Sequence, residues 1–237
     1  MSRLADATWA ELPDRPTVLV PVGSIEQHGP HLPLDTDTAI AEAVARGAAD
    51  AVGGDVLVAP ALSYGSSGEH QAFAGTCSIG TEVLQQVVVE LVRSLRTWAG
   101  PIVLVNAHGG NLMALTAAVV QMRDEGHDVA WVPCATEDVD LHAGLTETSL
   151  MLHLRPGSVR LDRAEPGDTR PLGEILPLLM QGGVAAVSAN GVLGDPTGAS
   201  ASRGAEVLAT MIGQTVDALA AGVVDARGRI GLVERTS

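Results

Sequence analysis

Val18-Leu19-Val20-Pro21-Val22-Gly23-Ser24-Ile25-Glu26-Gln27-His28-Gly29-Pro30-His31-Leu32-Pro33-Leu34-Asp35-Thr36-Asp37 begins as an apolar run and ends on carboxylates. Its first five residues read as a strand buried on both faces, as in a parallel sheet. Glu26, His28, Asp35 and Asp37 follow closely, with glycine and proline fixing the backbone between them. Along an extended segment, residues i and i+2 face the same way. Glu26 and His28 are thus placed to reach one ion or two adjacent ions, and Asp37 to bridge them from the start of the next helix. Oxygen and imidazole donors without thiolates suit Zn, Mn or Fe(II). The plainer reading is a polar loop whose Asp35 and Asp37 cap a helix.

Outward from this stretch, strand-type runs alternate with Ala-rich helical ones. Strands are expected at Val18–Val22, Asp55–Ala59, Pro101–Val105 and Asp128–Pro133, with a further one at Ala185–Ser188. Helices are expected at Thr38–Ala51, Thr81–Ala99, Asn111–Glu125, Thr146–His153, Leu176–Gln181 and Ala201–Ala221. The alternation predicts a single α/β domain over residues 1–237, a mostly parallel sheet covered by helices on both faces. Ligand sites in such sheets form at the carboxyl ends of the strands. The polar motifs follow that rule.

Asn106-Ala107-His108-Gly109-Gly110-Asn111 leaves the third strand. His108 would complete the metal-binding group, and the N–H groups of Gly109 and Gly110 open a helix that could hold an anion. The bland alternative is a strand-to-helix turn. His142-Ala143-Gly144-Leu145-Thr146-Glu147 puts a histidine on a loop and a carboxylate at a helix start. Glu147 is a candidate last ligand and His142 a candidate proton donor to a leaving group. Otherwise Glu147 is a first-turn glutamate favoured by the helix dipole. Gly65-Ser66-Ser67-Gly68-Glu69-His70 reads as a substrate-facing loop, with Ser67, Glu69 and His70 as contacts. It is not a serine nucleophile elbow, because Glu69 stands where the second glycine belongs.

The 237 residues suffice for a sizeable core, and 46% are hydrophobic but only 2% aromatic, so Ala, Val, Leu and Ile must build it. The net charge of −14 argues against nucleic acid and anionic membranes as partners. All 14 basic residues are arginine, which excludes Schiff-base chemistry and a Walker A loop. No apolar run is long enough to span a bilayer, and the first residues lack a signal-peptide pattern. A cytoplasmic protein with Cys77 and Cys134 reduced is expected.

The segments Glu26–Asp37, His108–Asn111 and His142–Ser149 together resemble the creatininase family of metal-dependent amidohydrolases, over nearly the whole chain. The resemblance implies a three-layer α/β/α fold, a homo-oligomer and one or two divalent metal ions per subunit. It implies Glu26, His28, Asp37 and His108 as ligands, with Asp37 bridging. Creatinine hydrolases carry Tyr-Glu after the third-strand histidine, the glutamate being a ligand. Gly109-Gly110 stands there in this chain, which shifts the fifth-ligand role to Glu147. Tyr64–Gln71, Ala130–Cys134 and Gly191–Gly198 resemble one peptidase subgroup of the family. That subgroup releases a C-terminal Val-Tyr dipeptide from a radical-modified ribosomal precursor peptide, whose remainder becomes a redox cofactor. A small cyclic amide or formamide as substrate, and a non-catalytic metal-binding role or a lyase, are the alternatives.

Overall fold

The computed structural model describes residues 3–136 and 140–231. In chain order the elements are β1 (Thr17–Val22), α1 (Thr36–Val52), β2 (Val56–Val58), α2 (Thr81–Leu95), β3 (Ile102–Asn106) and α3 (Leu112–Asp124). There follow β4 (Val129–Pro133), α4 (Leu145–Leu154), α5 (Leu172–Gly182), α6 (Ala201–Ala221), β5 (Val223–Val224) and β6 (Ile230–Gly231).

The main sheet is parallel throughout, in the order β2-β1-β3-β4. Val18 pairs with Ile102 and Val22 with Asn106, so β1 and β3 end level with one another. Because side chains alternate across a strand, β1 feeds two cores. Val18, Val20 and Val22 pack with Leu84, Val88 and Val92 of α2 and Leu115 and Val119 of α3. Leu19 faces the other way, into a cluster with Val44 of α1, Leu150 of α4 and Leu208 and Met211 of α6. Both faces of the sheet are therefore covered, which gives three layers. The expected three-layer α/β/α class with a parallel sheet is the observed one.

The order of the strands also locates a crevice. From β1 the chain crosses outward to β2, whereas from β3 it crosses the opposite way to β4. The loops leaving β1 and β3 thus diverge at a topological switch point, where open α/β sheets bind ligands.

Several expectations need correction. Ala185–Ser188 is not a strand; Val184–Ala186 forms a single 3-10 turn after Gly183. The α5 helix starts at Leu172, four residues before the expected Leu176, and carries Pro177 inside it. Asp35 occupies the N-cap position of α1 but makes no capping hydrogen bond. Instead both its oxygens accept from the Arg155 guanidinium, at 2.8 and 2.9 Å. Among the described residues, no helix is long and apolar enough to cross a membrane.

Candidate metal centre

The loop after β1 closes on itself. Glu26 N–H donates to Leu34 O at 3.0 Å, and Leu32 N–H to His28 O at 3.3 Å. This folding-back returns the first turn of α1 to the strand end, where Ser24 Oγ donates to Asp37 Oδ2 at 2.5 Å. Asn111 ties the neighbouring loops together. Its amide donates to Gly23 O and to Asn106 Oδ1, and its oxygen accepts from Ser66 N–H.

The donors of the centre can be assigned from their partners. His28 Nδ1 lies 3.1 Å from Glu26 O, which can only accept, so the proton of neutral His28 sits on Nδ1. Its Nε2 then presents a lone pair to Asp37 Oδ1, 3.1 Å away. His108 repeats the pattern with its nitrogens exchanged: Nε2 donates to Ser66 O at 3.1 Å, leaving Nδ1 3.4 Å from Asp37 Oδ2. Each oxygen of Asp37 therefore faces an imidazole lone pair. Glu26 is fully buried; His70 Nε2 and His108 Nε2 each lie 3.2 Å from one of its oxygens, but no donor is aligned to make a hydrogen bond to either. Such an orphaned carboxylate is costly unless a cation or proton compensates it. Ligand atoms of Glu26, His28 and Asp37 lie within 4.8 Å of one another, as do those of His28, His142 and Glu147. This donor set fits a divalent cation, with Asp37 in position to bridge two.

The electrostatics carry the same signature. Burial, reinforced by Asp37, pushes the Glu26 carboxyl up to about 7. Burial likewise raises Glu147 to about 7. Burial opposes charge on His28, but Asp37 and then Glu147 outweigh it and raise the imidazole to about 10. Asp37 is held well below the usual carboxylate range: burial works against this, and His28 and His108 prevail. Without a metal, protons fill the gaps between facing acceptors.

The remaining sequence-predicted residues converge on this point. Glu147 Oε2 accepts from Ala143 N–H at 2.6 Å and lies 3.8 Å from His28 Nε2. Ala143 holds a positive φ of 53°, a sparsely populated conformation for a residue with a Cβ, between His142 and the start of α4. His142 is buried, with Nδ1 3.8 Å from Glu26 Oε1. Ser67 Oγ is 3.5 Å from His108 Nε2, and Glu69 Oε1, on a partly exposed side chain, is 3.6 Å from it. Gly109 is open on its Cβ side, whereas a Cβ on Gly110 would overlap Ser66 O and His108 Nε2. That crowding leaves no room for a side chain at position 110. His70 is buried, with Nε2 3.2 Å from Glu26 Oε1 and its ring 4.4 Å from that of His142. Sequence reasoning passed over Ser24, Gln27, Asn106 and Asn111, none of which has ligand chemistry of its own. Gln27 nevertheless stood between two of the predicted ligands.

Comparison with known proteins gives the same picture. Residues 5–219 match the family model for creatininase, described as creatinine amidohydrolase. The chain is 53% identical over 206 residues to the mycofactocin precursor peptide peptidase of Mycolicibacterium smegmatis, covering 85% of this chain and 83% of that one. It is 51% identical over 225 residues to the protein of the same name from Mycobacterium tuberculosis, covering 91% and 90%. A solved structure named "Creatininase Mn" superposes with a TM-score of 0.75 at 28% identity, over 92% of this chain and 98% of that one. A mutant creatininase of Zn-Zn type superposes with a TM-score of 0.74, also at 28% identity, over 92% and 97%.

Proposed function

The chain belongs to the creatininase family, and we propose that it is a metal-dependent peptidase releasing a C-terminal Val-Tyr dipeptide from a radical-modified precursor peptide in mycofactocin formation. One observation carries the hydrolytic reading: the buried Glu26 carboxylate, to which no donor is aligned, beside Asp37, whose two oxygens face imidazole lone pairs. The choice of a peptide as substrate rests on the half-identical relatives. A cavity of about 470 Å³ next to the backbone pairing of His142 with Leu193, lined by Leu141, Leu172 and Arg170 but also by Asp140, Asp168 and Asp195 and by none of the candidate ligands, is a place where a peptide tail could lie.

Glu26, His28, Asp37, His108 and Glu147 would hold one or two divalent ions: Fe(II), Zn or Mn. Bound there, such ions supply Lewis acidity and lower the pKa of a coordinated water towards about 7. His142 serves as the proton carrier to the departing amine. Its unprotonated nitrogen faces the Glu26 side of the centre, and burial, then His28 and His70, hold the imidazole well below its ordinary value. Ser67, Glu69, His70 and the N–H groups of Gly109 and Gly110 border the position that a scissile carbonyl would take. A homo-oligomer working in the cytoplasm completes the reading.

The decisive test mixes metal-loaded protein with the modified precursor peptide, with and without chelator, and weighs the products by mass spectrometry. Chelator-sensitive release of Val-Tyr is the expected result. An intact peptide with metal demonstrably bound would overturn the peptidase reading and favour a small cyclic amide or formamide.

A further inference from the structure

The side chain of Gln27 is buried between two backbone groups that settle its orientation. Gly29 N–H donates to Gln27 Oε1 at 2.9 Å, and Gln27 Nε2 donates to Gly191 O at 2.9 Å. A carbonyl accepts only, and an N–H donates only, so the carboxamide cannot be flipped. Gly191 is required by this fit: its φ is 79°, and a Cβ there would overlap the carboxamide. The amide nitrogen thereby points at both inner histidines. It lies 2.8 Å from His70 Nδ1 and 3.1 Å from His142 Nε2.

The two amide protons must be shared among three neighbours. One goes to Gly191 O. His142 Nε2 lies 2.8 Å from the backbone oxygen of Gln27 itself, so it is a donor and takes no proton from the amide. The second amide proton therefore goes to His70 Nδ1. From this we infer that Gln27 is a positioning residue that sets the proton positions of both histidines, through its side chain on His70 and its backbone oxygen on His142. The neutral His70 ring then carries its N–H on Nε2, which lies 3.2 Å from Glu26 Oε1 without the alignment of a hydrogen bond to it. His142 keeps its lone pair on Nδ1, 3.8 Å from the same oxygen.

Two consequences follow for the proposed peptidase, on which this part of the inference rests. Glu26, His70 and His142 are close enough together to hold an ion. Yet His70 Nε2 already bears a proton and is withheld from that role. His70 instead keeps its N–H beside the Glu26 carboxylate, unaligned for a hydrogen bond to it, while His142 Nδ1 remains the nitrogen free to move a proton.

The test reads proton positions directly. In zinc-loaded protein labelled with ¹⁵N-histidine, two-bond ¹H–¹⁵N spectra should place the protons of His70 and His142 on Nε2. In Gln27→Glu the carboxylate only accepts, so the His70 proton should move to Nδ1. On the precursor peptide, kcat should fall about 10–100-fold, as for the loss of other outer-shell partners, with zinc content and KM held. A wild-type His70 protonated on Nδ1 overturns the inference, whatever the activity. Unchanged His70 signals in Gln27→Glu overturn it too. Should that variant not fold, the wild-type spectrum decides alone. Failure of the wild-type protein to cut the peptide would unseat the peptidase reading and leave the proton assignment standing.

Discussion

His28 Nε2 and Asp37 Oδ1 face each other across 3.1 Å, both buried, and with His28 neutral neither atom has a proton to share. His108 Nδ1 meets the other oxygen of Asp37 in the same way at 3.4 Å. A carboxylate flanked by two lone pairs is the geometric core of the centre. Replacing it tests the bridging role most directly.

Asp37→Ala should abolish both metal uptake and turnover, because it removes the group shared by His28 and His108. Elemental analysis of dialysed protein reads the first and peptide cleavage the second. Stoichiometric metal with retained cleavage would dismiss Asp37 as the bridge.

His142→Asn should behave differently. His142 sits at the edge of the donor set, its Nδ1 3.8 Å from Glu26 Oε1. Metal content should hold while kcat drops by about 10²–10⁴, the usual worth of a positioned proton carrier. An unchanged kcat would mean that another group, or water, protonates the leaving amine.

How far these residues could be read from sequence depends on the distance over which each contact acts. The α6 helix was legible to the residue because its limits are local: Ser200 Oγ accepts from Arg203 N–H at one end, and Gly222 takes the left-handed φ of 63° at the other. Glu26, His28 and Asp37 were legible because they share one loop. The terminal pair β5 and β6 was not, since each strand has two residues and no periodicity to detect. Asp35 was ambiguous because its partner, Arg155, is 120 residues away. Gln27 was invisible for the same reason. Its contacts with His70, His142 and Gly191 span 43, 115 and 164 residues, and no local pattern announces them.

Gly109 and Gly110 look interchangeable in sequence and should not be so in the protein. Gly110→Ala forces a Cβ against Ser66 O and the His108 ring. It should cost about 1–3 kcal/mol, the usual penalty for overpacking, and weaken metal binding by displacing His108. Gly109→Ala meets nothing within 4 Å and should stay within about 0.5 kcal/mol of wild type. Thermal unfolding of the two variants, with and without zinc, makes the comparison. Equal losses at both positions would refute the crowding at Gly110.

Removing the metal should leave a pH signature. Burial alone would lower His28, but Asp37 and Glu147 raise it from 6.5 to about 10; His108 is also raised, against burial, by Glu26 and Asp37. A raised folded pKa contributes stability that is complete below the unfolded value and lost as pH climbs through the folded one. Glu26 and Glu147, raised by burial to about 7, act in the same direction but mostly below pH 7; the buried histidines of opposite sign, His31 at about 4, His70 at about 3 and His142, held well below its ordinary value, all lowered first by burial, have finished titrating before neutral pH. Chelator-treated protein should therefore lose Tm steadily between about pH 7 and 9. Zinc-loaded protein should not, because metal ligands are already deprotonated. Cys134, whose thiol burial raises, contributes alike to both samples and cancels in their difference. Parallel curves for the two samples would show that His28 and His108 do not hold these protons in the metal-free state.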